Sequence, residues 1–245
     1  AFVVAGAGVP VAKHGNRSIS SRCGSADVLE ALGVDLDLGP AAVATAIRTV
    51  GIGFLFAPKL HPAMKHAIGP RREIGIRTIF NVLGPLTNPA GANVQVMGVF
   101  ASELTEPLAA VLGRLGARRA LVVCGEGNMD ELTVTGATKV SEWRNGEVTT
   151  WSVVPEDVGL TRAERKAISG ADDPVAAAEQ VRAILGGEPG ARREMTALNA
   201  GAALMAAGQT QDLASGVRLA LATIDSGAAL RCLDRLVAFC QEQRA

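Results

Sequence analysis

The chain has 245 residues, of which 48% are hydrophobic and 20% are charged. This length and composition are typical of a folded protein with a sizeable core, in one large domain or two smaller ones, and they exclude an intrinsically disordered chain. Lysine and arginine together number 24, as do aspartate and glutamate, so the net charge of zero favours neither a nucleic-acid nor a membrane partner.

In chain order, the hydrophobic pattern alternates short apolar runs with segments of helical period. It predicts a strand at 9–12, helices at 26–32 and 41–50, a strand at 94–100, a helix at 103–115, strands at 120–124, 139–143 and 148–153, and helices at 174–185, 193–207 and 213–239. Strands that alternate with helices indicate an α/β protein, so we expect a mixed central sheet flanked by helices.

Capping and turn residues support several of these boundaries. Ser25 suits the N-cap of the first predicted helix, and Pro40 suits the first turn of the second. Asn145-Gly146 lies between two β-prone runs and is the strongest hairpin signal in the chain. Thr161-Arg162-Ala163-Glu164 has the form of a capping box, and Asp173-Pro174 predicts the start of the helix that follows.

The segment from Lys13 to Ser25 has the composition of an anion-binding loop. It contains Lys13, Arg17 and Arg22, several hydroxyls and two glycines, but no acidic residue. Ammonium, guanidinium, hydroxyl and backbone N–H groups all bind phosphate oxygens, and the amino end of the following helix adds partial positive charge. Composition alone fits both a phosphate-binding loop and an exposed polar loop.

Two adjacent carboxylates, Asp130 and Glu131, follow a predicted strand and the glycine-rich residues 125–128. Mg²⁺ in proteins is commonly held by one or two carboxylates together with water and substrate phosphates, so this pair is a candidate metal site. A solvated acidic turn is the commoner explanation for the same spacing.

Residues 61–88 combine basic side chains with irregular loop signals. The basic residues are His61, Lys65, His66, Arg71, Arg72 and Arg77. Arginine recognises planar carboxylates through paired hydrogen bonds, although a single arginine is usually a surface residue and the histidines can be structural. Gly84-Pro85 and Asn88-Pro89 indicate an irregular loop. The sequence has no Ser-His-Asp order and no H-E-x-x-H motif that would indicate another mechanism.

The four cysteines, Cys23, Cys124, Cys232 and Cys240, form no C-x-x-C pair. Their spacing therefore predicts neither a zinc site nor a disulfide framework, and we expect a reducing cytoplasm. The apolar runs are short and contain glycine, so we expect no membrane-spanning segment.

Together these stretches resemble the anthranilate phosphoribosyltransferases. The matching motifs occur in the family's order and extend over nearly the whole chain. They are Lys13-His14-Gly15-Asn16-Arg17-Ser18-Ile19-Ser20-Ser21, Gly24-Ser25-Ala26-Asp27-Val28-Leu29-Glu30, His61-Pro62-Ala63-Met64, Arg71-Arg72-Glu73-Ile74-Gly75, Arg77-Thr78-Ile79-Phe80-Asn81, Gly84-Pro85-Leu86-Thr87-Asn88-Pro89 and Asp130-Glu131-Leu132-Thr133.

The resemblance implies transfer of the phosphoribosyl group from 5-phosphoribosyl-1-diphosphate to anthranilate, an early step of tryptophan biosynthesis. It implies that phosphoribosyl diphosphate is bound by Lys13, His14, Gly15, Asn16, Arg17, Ser18, Ile19, Ser20, Ser21 and Ser25. It further implies that Asn16 and Arg71 meet anthranilate, with Arg71 facing the carboxylate, and that Asp130 and Glu131 hold Mg²⁺. We expect Lys13, His14, Asn16 and Arg71 to act in catalysis; no base is obvious, and His14 is a candidate.

The implied fold is of the nucleoside phosphorylase/phosphoribosyltransferase type, with a small helical domain and a larger α/β domain. Residues 1–24 and 68–245 would form the α/β phosphoribosyl-binding domain, and residues 25–67 an inserted part of the helical domain. The resemblance also implies a homodimer.

One departure from the family pattern concerns the amino-terminal side. The family has a glycine-rich diphosphate loop of Gly-Thr-Gly-Gly-Asp type and an Asn-Ile-Ser-Thr segment, both before the equivalent of Ala1. Residues 2–5 also have the pattern of a helix already under way. We therefore expect this sequence to lack the family's amino-terminal segment.

Two other functions fit parts of the pattern. A pyrimidine nucleoside phosphorylase has the same fold, but its phosphate loop is less similar and it does not need the paired carboxylates. A non-catalytic relative that binds nucleic acid would be expected to carry positive charge, whereas the net charge here is zero.

Overall fold

The computed structural model describes residues 1–17, 23–61, 69, 73 and 80–244, and its elements alternate as the sequence predicts. The strands are β1 (Val11–Gly15), β2 (Ile52–Phe56), β3 (Val94–Gly98), β4 (Arg119–Gly125), β5 (Thr138–Arg144) and β6 (Glu147–Val153). The helices are α1 (Phe2–Gly6), α2 (Ser25–Ala31), α3 (Pro40–Thr49), α4 (Ala57–Leu60), α5 (Phe80–Leu86), α6 (Thr105–Arg114), α7 (Pro174–Leu185), α8 (Ala191–Ala206), α9 (Leu213–Asp225) and α10 (Ala228–Glu242). Short 3₁₀ turns occupy Ser102–Leu104, Pro155–Val158 and Arg165–Ile168.

The described strands form two sheets. β1 pairs with β2 in parallel. The second sheet has the order β3-β4-β5-β6, in which β3 and β4 are parallel and the other two pairs are antiparallel. The expected mixed sheet flanked by helices is therefore confirmed.

Strand β4 shows why the second sheet needs helices on both faces. All seven of its residues are buried. Leu121 and Val123 point into a large core that includes α1, α8, α9 and α10, whereas Ala120 and Val122 point into a smaller core against α6. Successive side chains of a strand face opposite sides, so two covering layers explain an apolar run that has no alternation.

The β5–β6 hairpin forms at the predicted turn. Arg144 pairs with Glu147 across Asn145-Gly146, whose φ values are 53° and 88°. Both values are positive, as a two-residue type I′ turn requires. The two tryptophans of the chain, Trp143 and Trp151, lie on this hairpin.

Three details of the sequence-based prediction are wrong, and strand β2 was not predicted. The N-cap of α2 is Gly24 rather than Ser25, and the Asp27 carboxylate accepts the Gly24 N–H at 2.9 Å. No α-helix begins at 161–164: the Thr161 N–H is directed to the Glu194 carboxylate of α8 at 3.3 Å, and only the 3₁₀ turn Arg165–Ile168 follows. The helix predicted over 213–239 is interrupted at Gly227, where φ is 71°, which divides it into α9 and α10.

Across the described ranges, no single helix has the length and apolar character needed to cross a membrane. Helices α9 and α10 reach that length and composition only when taken together, and they are bent by 62° with respect to each other.

Buried residues of segment 25–67 belong to the same hydrophobic core as the second sheet. Leu32, Ala46 and Ile52 cluster with Leu121 of β4 and Leu198 of α8. The division of the chain into an α/β domain and an inserted part of a helical domain stays a prediction.

Candidate active site

The first group of predicted site residues lies at the carboxyl end of β1. Lys13, His14 and Gly15 are its last three residues, and Gly15 is paired with the last residue of β2. A Cβ placed on Gly15 would lie 3.0 Å from Ser25 Oγ, so the start of α2 is directly beside the end of the strand. The structure therefore brings Ser25 to the Lys13–Gly15 segment.

Lys13 carries a partly buried ammonium group. Its Nζ donates to the His14 carbonyl at 3.2 Å, and no ion pair of this group is found among the described residues. Burial lowers the pKa of Lys13, and the nearby negative charge of Glu131 acts in the opposite direction. A partly buried cation that has no ion pair among the described residues is suited to an anionic ligand.

Asn16 and Arg17 follow β1 and are exposed. The Asn16 carbonyl accepts the Ala26 N–H of α2 at 3.4 Å, while its side-chain Oδ1 accepts the Arg17 N–H at 2.8 Å. The Arg17 guanidinium pairs with Asp27 at 2.7 Å and with Glu30 at 2.8 Å, and these hydrogen bonds raise its pKa. Arg17 thus joins the loop to α2, and its predicted contact with phosphate would require it to share or exchange these partners.

The second group, Asp130 and Glu131, lies over the carboxyl ends of β3 and β4. Gly98 is the last residue of β3, and a Cβ there would overlap the backbone carbonyl of Asp130. Gly125 is the last residue of β4, and a Cβ there would lie 2.7 Å from the Glu131 carbonyl. Because glycine has no side chain, the acidic loop can pack directly against the strand ends at these two positions. The carboxyl ends of the strands are where ligands bind in open α/β sheets.

The two carboxylates have the character of an incomplete cation site. Both residues are exposed, and within the described ranges neither carboxylate makes a hydrogen bond or an ion pair. The protein around Glu131 still raises its pKa by desolvation, Asp130 raises it further, and Lys13 lowers it. A hard cation would offset this repulsion, so the pair fits Mg²⁺.

Across the described residues no group of three or more His, Cys, Asp or Glu side chains is arranged to hold a metal. The remaining ligands of an ion at Asp130 and Glu131 would then be water or substrate phosphates, as is common for Mg²⁺.

Asn199 of α8 fixes the backbone next to these carboxylates. Its Oδ1 accepts the Leu132 N–H at 3.0 Å, and its Nδ2 donates to the Leu132 carbonyl at 2.7 Å and to the Met195 carbonyl at 3.0 Å. The sequence contains no local signal for this contact, because the two partners are far apart along the chain.

A third group of residues surrounds His14. Its Nε2 lies 3.2 Å from the Nε2 of His61, with the rings edge to face. Burial lowers the pKa of His14, and His61 lowers it further, against a hydrogen bond to the backbone of Gly84. Asn88 Nδ2 donates to the Ala12 carbonyl at 3.2 Å, which joins the predicted irregular loop to β1.

Several predicted site residues lie outside the described residues. These are Ser18, Ile19, Ser20, Ser21 and Arg71. Their predicted roles stay predictions, as do the roles of Lys13, His14, Gly15, Asn16, Arg17 and Ser25. Gly98 and Asn199 were not singled out from the sequence, and Gly125 was noted only as part of the glycine-rich residues 125–128.

The chain matches the Glycosyl transferase family, a/b domain, over residues 1–230. An anthranilate phosphoribosyltransferase of Desulfotalea psychrophila is 65% identical over 238 residues, which is 97% of this chain and 68% of the relative. The crystal structure of anthranilate phosphoribosyltransferase from Thermus thermophilus superposes with a TM-score of 0.93 at 50% identity, over 98% of this chain and 71% of that one.

The Saccharomyces cerevisiae enzyme in complex with PRPP and Mg has a TM-score of 0.87 and 27% identity, over 98% of this chain and 68% of its own. Both the sequence match and the structural match therefore extend across nearly the whole of this chain. On these grounds the chain belongs to the anthranilate phosphoribosyltransferase family, enzymes that transfer a phosphoribosyl group to anthranilate in tryptophan biosynthesis.

Proposed function

We propose that the carboxyl ends of β1, β3 and β4 form the phosphoribosyl diphosphate side of the active site. The observation that carries this proposal is the close packing of the Asp130–Glu131 loop on Gly98 and Gly125 at the strand ends, with Glu131 near enough to Lys13 for the charge of each group to shift the pKa of the other. Lys13 was predicted to bind phosphate and Glu131 to hold metal, and a metal-bound diphosphate needs both groups beside it. Their approach from distant parts of the chain supports one shared ligand.

The reaction joins the anthranilate nitrogen to the anomeric carbon of the ribose. The bond from that carbon to the diphosphate oxygen breaks, diphosphate leaves with the bonding electrons, and the amine loses a proton. Lys13 would stabilise the charge that develops on the leaving group. Mg²⁺ held by Asp130 and Glu131 would supply further neutralisation of the diphosphate.

The acceptor side of the site would be formed by Asn16, His14 and Arg71. Because the pKa of His14 is lowered, its ring is neutral at pH 7 and does not repel the positive charge that develops on the ribose. Arg71 would pair with the anthranilate carboxylate, for which a guanidinium is well suited. The amine is a neutral nucleophile, so positioning contributes more than a strong base does.

The substitutions Asp130→Asn and Glu131→Gln together test the metal role. We expect loss of anthranilate fluorescence in the presence of phosphoribosyl diphosphate and Mg²⁺ to slow by about 10²-fold or more, as when one strong transition-state interaction is lost. The matched control is Glu179→Gln with Glu188→Gln, which removes two exposed carboxylates in and just after α7. The metal role would be rejected if the Asp130/Glu131 variant were as fast as this control.

We further propose that the protein works in the cytoplasm and as a homodimer. Among the described residues, Cys124, Cys232 and Cys240 are buried and form no disulfide, which is compatible with a reducing compartment. The dimer is proposed from the family resemblance alone.

A further inference from the structure

One side chain holds the backbone beside the acidic pair from both sides. Asn199 both accepts from the N–H of Leu132 and donates to its carbonyl, at 3.0 and 2.7 Å. An asparagine amide offers an acceptor and donors in one plane, so it can satisfy both groups of a single residue. Leu132 directly follows Glu131, and its own side chain is fully buried.

The position of Asn199 is itself well fixed. Its Nδ2 also donates to the Met195 carbonyl one turn earlier in α8, which restricts its rotamer. Helix α8 packs closely on α9, since a Cβ on Gly201 would lie 2.6 Å from the Val217 nitrogen. The carboxyl end of α8 is joined to β4 by Arg119, whose Nη1 donates to the Met205 carbonyl at 2.5 Å.

The backbone around the acidic pair is therefore held in place, whereas the two carboxylates are available to bind a ligand. Below it lie Gly98 and Gly125, and after it the Thr133 N–H donates to Thr138 Oγ1 at 3.0 Å. The carboxylates of Asp130 and Glu131 have no protein partner in the described part of the chain. Fixed ligands with open charges bind a cation without a large ordering cost, and groups that orient ligands commonly change metal affinity 10–100-fold.

We propose that Asn199 is a positioning residue that sets the affinity of the Asp130–Glu131 pair for a divalent cation. This inference rests on the proposed metal role of that pair. Asn199 does not touch the ion or the substrate; it acts through the backbone of Leu132.

The test uses Asn199→Leu and Asn199→Ser in the chain as it stands. Leucine has a volume similar to that of asparagine and removes both hydrogen bonds to Leu132. Serine leaves room for water to satisfy Leu132, so this variant keeps the fold if leucine does not. Thr196→Val is the matched control, because it removes a hydroxyl that donates at 2.8 Å to the Arg192 carbonyl within the same helix.

Two readouts separate positioning from general stability. The first is the dissociation constant of Mn²⁺, measured from the free-ion signal in electron paramagnetic resonance. We expect it to rise about tenfold in both Asn199 variants and to stay unchanged in Thr196→Val. The second is hydrogen exchange of the Leu132 amide, which should lose protection only in the Asn199 variants. In turnover, the Mg²⁺ concentration for half activity should rise while kcat at saturating Mg²⁺ changes by less than about twofold.

The outcomes distinguish the two proposals. Unchanged Mn²⁺ affinity in folded Asn199 variants would overturn the positioning role, provided that Asp130→Asn with Glu131→Gln abolishes binding. If the carboxylate variant also binds Mn²⁺ normally, the metal role itself is wrong, and the inference about affinity fails with it.

Discussion

At the scale of single residues, the pKa values of three titratable groups near the carboxyl end of β1 are shifted in the direction of each group's neutral form. The pKa of Lys13 and that of His14 are lowered, and the pKa of Glu131 is raised, in each case chiefly by desolvation. Such pKa shifts are concentrated at functional sites that bind charged ligands. A metal-bound anionic ligand that compensates the charges of Lys13 and Glu131 would shift both pKa values back towards their ordinary values.

The contact between His14 and His61 leads to a prediction about protonation. At 3.2 Å the two Nε2 atoms need one donor and one acceptor, so both rings cannot be fully protonated. Since the pKa of His14 is lowered, this group stabilises the fold above its unfolded value near 6.5, and that contribution is lost as the pH falls through the lower native pKa. In His61→Gln the repulsive charge is gone, so we expect the pKa of His14 to rise while remaining below 6.5.

NMR titration of the labelled histidine ring measures this pKa directly. The introduced glutamine side chain can still offer a hydrogen-bonding amide, so the change isolates the charge of the neighbour. An unaltered titration curve for His14 would show that the two rings do not interact in solution.

Arg17 illustrates what could and could not be predicted about single residues. Its placement in the phosphate-binding segment followed from composition. The acids that it pairs with, Asp27 and Glu30, lie three residues apart on α2 and so share one face of that helix. That spacing was visible in the sequence, but the angle at which α2 leaves the loop was not.

At the scale of elements, the acidic loop depends on glycine at the strand ends. In Gly98→Ala the new methyl group would overlap the Asp130 carbonyl, so the loop has to move away from β3. We expect a loss of about 1–3 kcal/mol in unfolding free energy, as is usual for overpacking, together with a weaker response of activity to Mg²⁺. Urea unfolding and a Mg²⁺ titration of turnover measure the two effects.

Gly39→Ala is the control for that substitution. Gly39 precedes α3, has a φ of −69°, and has nothing within 4 Å of an added Cβ. We expect stability and the Mg²⁺ response to stay close to those of the unaltered protein. If a folded Gly98→Ala protein were saturated by Mg²⁺ at the normal concentration, the close packing of the acidic loop against Gly98 would be contradicted.

The same scale shows which elements a sequence pattern can reveal. The β5–β6 hairpin was predicted because alternation and an Asn-Gly turn coincide. Strand β2 was missed because its first four residues are all buried and show no alternation, so the run reads equally as part of a helix. The acidic loop was visible as a pair of carboxylates, whereas Asn199 belongs to the site only through the packing of α8 against β4.

At the scale of the whole molecule, the raised pKa of Glu131 makes stability depend on pH and on metal together. This carboxyl stabilises the fold fully below its unfolded value near 4.5, and the contribution is lost as the pH rises through its higher native pKa. We therefore expect Mg²⁺ to raise the Tm more at pH 7.5 than at pH 5, because protons compete for the same carboxylate.

The substitution Glu131→Gln should raise the Tm in the absence of metal, because it removes the charge that the folded protein disfavours. We expect its Tm at pH 7.5 to be higher by roughly 1–3 °C, since the partly exposed carboxylate is screened and 1 kcal/mol corresponds to about 2–4 °C in a chain of this size. Differential scanning calorimetry with and without Mg²⁺ measures both quantities. A Tm of Glu131→Gln that rises with Mg²⁺ as much as the Tm of the unaltered protein would place the ion elsewhere.

The location of both tryptophans on the β5–β6 hairpin has a consequence for the order in which the chain folds. The hairpin joins residues close in sequence, whereas Lys13 and Glu131 meet only after a long segment of the chain has closed, which is entropically slower. Trp143 donates its indole N–H to the Ala117 carbonyl at 3.0 Å and packs against the smaller core beside α6, whereas Trp151 packs against the large core. During refolding, the emission of Trp143 should therefore recover before Lys13 and Glu131 come together, and a midpoint measured from Trp143 alone would overstate how much of the working enzyme has formed.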